Sequence, residues 1–236
     1  MANLEKIVEH SLKKENNRMK YPNALEGVKK IYKAEILELI AGILALVGAI
    51  LLLVGIAGTQ VESTGAAVGG ILGGGLVMVA VAVLGIIAFI MGIVGVKKAI
   101  PDEENFKTAL YAMILGIVAS VVIGFAKEGS SLSNAGSTLS SICSFLAQYY
   151  IITAIIVLAQ KLADKDMEDR GVKTRKALMI VWIAKIVLEV IQIFLNKNTA
   201  VDVTAGVLAL IAAVIAIVAY VMYLKLLSKA RVMLEK

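Results

Sequence analysis

Residues 36–57 read ILELIAGILALVGAILLLVGIA, 22 residues in which Glu38 is the one charge and no other side chain is polar. An α-helix rises 1.5 Å per residue, so this stretch spans about 33 Å, enough to cross a hydrocarbon layer ~30 Å thick. Five more stretches qualify: 68–96, 109–126, 139–160, 177–195 and 203–224. Across its 236 residues the chain is 59% hydrophobic and 18% charged, with a mean hydropathy of +0.87. Soluble domains run near 45–50% apolar and about 25% charged. The expected fold class is an all-α integral membrane protein: a six-transmembrane-helix bundle of three helical hairpins with a short N-terminal amphipathic helix.

Charge sets the expected orientation. Of 24 Lys and Arg, 21 fall in the segments before span one, between spans two and three, between spans four and five, and after span six. Lys127 and Lys197 fall on the other side, and Lys185 lies inside span five. Excess Lys and Arg mark the cytoplasmic face, so both termini are expected there. The domain reading is a cytoplasmic amphipathic segment at 1–22, a membrane domain at 23–227 and a basic cytoplasmic tail at 228–236. The first apolar run begins after about 35 residues, too late for a signal peptide. Short loops and the missing cleavable signal suggest a multi-pass protein of a cell membrane, in particular a bacterial inner membrane. The net charge of +6 follows from this distribution and does not point to nucleic acid. The expected surroundings are the lipid bilayer, with a second copy or a membrane or cytoplasmic subunit as partner.

Local patterns refine the picture. Leu4, Ile7, Val8 and Leu12 share one face of the N-terminal segment, which reads as a helix on the inner membrane surface, a docking helix or a disordered tail. Asn23 reads as an N-cap for the first long helix, with Glu26 three residues on. Gly69, Gly70, Gly73, Gly74 and Gly75 open span two and suggest an irregular or tilted start. The Ser- and Gly-rich segment 128–141 reads as a flexible outer connector. Asp102, Glu103 and Glu104 read as acids starting the third helix, and Asp164–Arg170 as a solvated loop.

In lipid, apolar side chains gain little by meeting one another, so small residues that admit close backbone approach do much of the holding. Span three offers Ala112, Gly116, Ser120 and Gly124; span six offers Ala209, Ala212 and Ala216. Span one carries two small stripes, Gly42/Ala45/Ala49 and Ala41/Gly48/Gly55, which predicts neighbours on two faces. Trp182, Tyr32, Tyr111, Tyr220 and Tyr223 read as interfacial anchors.

The candidate site comes from charge inside span five. Lys185, Glu189, Gln192 and Asn196 fall within about 60° of helical arc. A charge at mid-bilayer costs about 2.5–3.5 kcal/mol, so this stripe must face protein or water. Either Lys185 and Glu189 form a self-neutralising pair that locks the helix, or the stripe is a polar lane for an ion, proton or small solute. Ser141, Ser144 and Gln148 on span four are candidates for the opposite wall. Glu38 on span one reads as a solvated helix-start carboxylate or a proton-coupling acid. The one His and one Cys, His10 and Cys143, leave no metal-ligand cluster, no catalytic constellation appears, and no cofactor is expected. The function expected is non-enzymatic: a small transporter, channel or transporter subunit. The alternative is a membrane interaction, anchoring or immunity protein working through its basic cytoplasmic face.

Overall fold

The computed structural model describes residues 20–60, 64–125, 131–195 and 202–236; within these, the side chains of 59–60, 64–67, 122, 131–135, 188–195 and 202–214 are not described. The N-terminal amphipathic segment with His10, and Asn196, lie outside the described residues. Six helices follow one another: α1 Pro22–Gln60, α2 Thr64–Ala99, α3 Asn105–Phe125, α4 Ser131–Lys161, α5 Lys165–Leu195 and α6 Asp202–Leu234. No strand occurs among the described residues. Four helical stretches are long and apolar enough to cross a membrane: Pro22–Gly58, Val68–Ala99, Asn105–Phe125 and Gly136–Lys161. They make the chain compatible with a membrane protein.

The chain divides into two compact units, residues 29–95 and residues 1–28 with 96–236. In the first, α1 and α2 lie antiparallel at glycine contacts. A Cβ on Gly55 would sit 2.6 Å from the Ile71 nitrogen, and one on Gly74 would sit 2.9 Å from the Gly48 carbonyl oxygen. A Cβ on Gly70 would collide with the Gly55 backbone. The glycine-rich opening of α2 is regular helix, and Gly70 and Gly74 are the two of its five glycines that admit α1. On α1 Ala34, Ala41, Gly48 and Gly55, in seven-residue steps, are buried, as is Gly58 beyond them. The other stripe is open: Gly42 and Ala49 are exposed, and nothing lies within 4 Å of a Cβ placed on Gly42. Within this unit α2 covers the first stripe and leaves Gly42 and Ala49 of the second uncovered. The outward side chains are apolar, among them Leu46 at 65% and Leu76 at 73% exposure. Water would penalise such a surface and lipid would not.

In the second unit α3 meets α4 in descending register: Gly116 beside Cys143, Ser120 Oγ 3.2 Å from Ser140 Oγ, and Ile123 beside Gly136. Residues 131–141 are thus helix, which corrects the reading of 128–141 as a connector. A Cβ on Gly136 would fall 2.6 Å from Ile123 Cγ1, so the small residues there serve close approach. Gly124 has nothing within 4 Å of its Cβ position and leaves the interface. Steps of four residues advance 40° past a full turn, so a small ladder three steps long winds away from its partner. Of the small residues expected on span six, Ala216 is half-buried on α6, and the side chains of Ala209 and Ala212 are outside the described residues.

The helix ends explain the turns. α4 closes with Asp164 N donating to Ala159 O at 2.9 Å and Ala163 N donating to Gln160 O at 3.0 Å, with Ala163 at φ 55°. Asp164 then caps α5, its Oδ1 accepting from Met167 N at 3.0 Å. The acidic run 164–169 is therefore a cap and first turns, not a loop. The acids after Pro101 also act differently than expected. Asp102 Oδ2 accepts from Ala24 N at 2.7 Å and its Oδ1 from Asn23 Nδ2 at 3.1 Å, so Asp102 caps α1. Pro22 opens that helix, where its missing N–H costs nothing, and Asn23 lies inside the first turn. Buried Glu103 pairs with Lys161 at 2.6 Å. Lys98 pairs with Glu26 at 3.2 Å, and Lys20 Nζ donates to Lys161 O at 3.3 Å. The start of α1, the α2–α3 turn and the α4–α5 turn are thereby joined at one end of this unit.

Candidate functional site

The groove between α4 and α5 holds the one candidate lane residue with a described long-range partner. The two helices run antiparallel through a series of contacts: Gln160 with Glu168 at 2.6 Å, Ile156 against Gly171, Tyr149 with Arg175, Phe145 with Trp182, and Ser141 with Lys185. Near the α4–α5 turn the contacts are tight, since a Cβ on Gly171 would strike the Ile156 side chain. Ile152, Ile155 and Leu158 are fully buried along α4. Further along, larger side chains hold the helices apart.

There Lys185 Nζ donates to Ser141 Oγ at 3.2 Å. The two line a cavity of about 260 Å³ together with Thr138, Ile142, Trp182 and Ile186. Lys185 is exposed into it. Lys185 is eight positions beyond Ala177, where the apolar stretch begins, so its Cα lies about 12 Å along the helix from that boundary. An ammonium, two hydroxyls and an indole make a set of donors.

A second cavity of about 330 Å³ adjoins it, lined by Phe145, Leu146, Tyr149, Tyr150, Met179, Trp182 and Ile183. Phe145 and Trp182 stack at 4.8 Å between centroids, and the Arg175 guanidinium lies 5.6 Å from the Tyr149 ring centre. Trp182 thus forms a wall shared by the two cavities. Tyr223, expected as an interfacial anchor, is buried at 2% exposure. This aromatic cradle escaped the sequence reading because Phe145, Tyr149 and Trp182 belong to two helices whose register the sequence does not state.

The other expected residues divide as follows. Glu189 and Gln192 lie on α5, their side chains outside the described residues, and Asn196 lies beyond them. Gln148 is half-buried on α4, two turns from Ser141. Glu38 is exposed on α1, in the other compact unit. Cys143 is buried beside Gly116. Among the described residues no group of three His, Cys, Asp or Glu assembles to hold a metal ion. No known protein family, curated protein or solved structure matches this chain.

Proposed function

We propose that this chain spans a cell membrane six times with both termini in the cytoplasm. Its work is that of a small transport protein or transporter subunit whose polar pathway follows the α4–α5 groove. The topology draws support from the end of the second unit where Lys20, Lys98 and Lys161 gather with the α2–α3 and α4–α5 turns. Basic turns sharing one end are what a positive-inside chain requires. One observation carries the pathway: Lys185, midway along an apolar stretch, reaches Ser141 across a cavity that has room for several waters. An amine held by the Ser141 hydroxyl in such a cavity suits an anion or a small polar solute bearing acceptors. Gln192 and Asn196 are the sequence's candidates for continuing the lane.

The test uses the full chain in proteoliposomes, with chloride, potassium and proton fluxes read by entrapped dyes. Flux that falls at least tenfold in Lys185→Leu/Glu189→Leu, with helix content and monodispersity unchanged, supports the pathway. Flux that survives the double change removes it. A second reading, an anchoring or immunity protein acting through its basic cytoplasmic face, is favoured by the exposed cations at the α5–α6 end. Flux indistinguishable from empty vesicles, together with loss of activity on deleting residues 1–20, would select it.

A further inference from the structure

A third cavity, about 290 Å³, lies between the first turns of α5 and the last turns of α6. It is lined by Asp166, Asp169, Arg170, Lys173, Thr174, Met222, Lys225, Leu226 and Lys229. Four cations thus face two carboxylates. Asp166 is already engaged, its Oδ2 accepting from Arg170 Nε at 2.8 Å, and Lys173 and Lys229 also act on it electrostatically. Lys173, Lys225 and Lys229 are exposed and form no ion pair with the described residues. With four cations against two carboxylates the cleft keeps a net charge of +2, which favours the entry of an anion.

The cleft also has an apolar side. Leu226 is buried and Met222 half-buried in its floor. Lys173 precedes the apolar stretch 177–195 by four residues, and Lys225 directly follows the stretch 203–224. On the six-span reading proposed above, on which this inference rests, both lie where those helices leave the hydrocarbon. On the same helix faces, further into those stretches, Ile180 on α5 and Val218 on α6 are exposed and apolar. A cationic rim above greasy helix surfaces matches a molecule with a phosphate at one end and acyl chains at the other.

We propose that this cleft is a specific site for the phosphate headgroup of an anionic phospholipid, with Lys173, Lys225 and Lys229 as its charge partners. Lys225 and Lys229 are one turn apart on α6, and Lys173 faces them from α5, so the phosphate is held from both walls. Basic clefts between spanning helices at the headgroup level attract anionic lipids by this chemistry.

The experiment titrates the full chain in detergent with phosphatidylglycerol or phosphatidylcholine and counts bound lipid by native mass spectrometry. One phosphatidylglycerol should bind at concentrations where phosphatidylcholine does not. At about 1 kcal/mol per lysine, Lys225→Gln/Lys229→Gln should weaken it about 30-fold and Lys173→Gln about fivefold. Lys225→Arg/Lys229→Arg should keep it, and Lys29→Gln/Lys30→Gln on α1 should change it less than about threefold. Equal binding of the two lipids overturns the proposal. So does an equal loss from the α1 and α6 double variants, which would mean diffuse attraction. Displacement by free glycerol 3-phosphate at the same affinity also overturns it, assigning the cleft to a soluble phosphate.

Discussion

Gly69 and Gly70 are adjacent on α2, have the same helix propensity, and should respond oppositely to one methyl group. A Cβ on Gly70 would run into the Gly55 backbone and lie 2.7 Å from the Leu51 carbonyl oxygen; on Gly69 it would meet nothing within 4 Å. Alanine is favoured over glycine inside a helix by about 0.5–1 kcal/mol at either position. At Gly70 the methyl must first push α1 away by on the order of 1 Å, since carbon contacts are optimal at ~3.5–4.0 Å. Overpacking of this kind costs about 1–3 kcal/mol, and here the obstacle is backbone, which cannot rotate aside. Gly69→Ala should therefore stabilise the chain by up to about 1 kcal/mol. Gly70→Ala should destabilise it by about 1–2 kcal/mol after the helix gain is subtracted. Reversible unfolding of the full chain in mixed micelles of rising SDS fraction gives the free energies, and hydrogen exchange localises the change to α1 and α2. Equal shifts for the two variants, or a more stable Gly70→Ala, would refute the helix contact described here.

Three more outcomes follow from the charged end and its turns. Lys161→Met should cost more than Glu103→Gln in the same unfolding assay. The first leaves a buried carboxylate with no cation and only its Asn105 hydrogen bonds, whereas Lys161 is half exposed and water can replace its partner. Ala163→Gly should stabilise by about 1 kcal/mol, because Ala163 holds a left-handed φ of 55° that glycine adopts freely. The Arg170 hydrogen bond holds the Asp166 carboxyl below the ordinary aspartate range. Its contribution should be complete at neutral pH and vanish as the pH drops from near 4 through the lowered folded value. A pH titration of unfolding should show that acid limb flattened in Asp166→Asn.

How far the sequence revealed the molecule depends on what each residue signals. The apolar stretch 36–57 names its solvent, so the long helices were legible from composition alone. The Gly116–Ser120 contact face on α3 was legible too, because small residues at helical spacing state that something comes close. They do not state what comes close, or on which side. Span one offers two small stripes of equal appearance, and within its own unit Ala41/Gly48/Gly55 is the buried one. Residues 131–141 show the same ambiguity from the other direction: Ser and Gly serve a linker and a tight helix crossing equally well. Long-range polar pairing was least legible. Asp102 beside Glu103 reads as the start of the next helix, yet its carboxylate reaches back to Ala24. In the groove, Lys185 stood out because a charge amid apolar neighbours carries its own demand, while the aromatic cradle gave no such signal.

The clasp at Ala24 has a consequence for how the chain is made. Asp102 leaves the ribosome 78 residues after the amide it holds. At 5–20 residues per second the delay is roughly 4–16 s. Throughout that interval the first turn of α1 has only water for its open amides, although the rest of the helix has already been synthesised. Nascent chains stalled before residue 102 should therefore present a frayed, protease-sensitive entry to α1, and chains stalled once that residue has emerged should not.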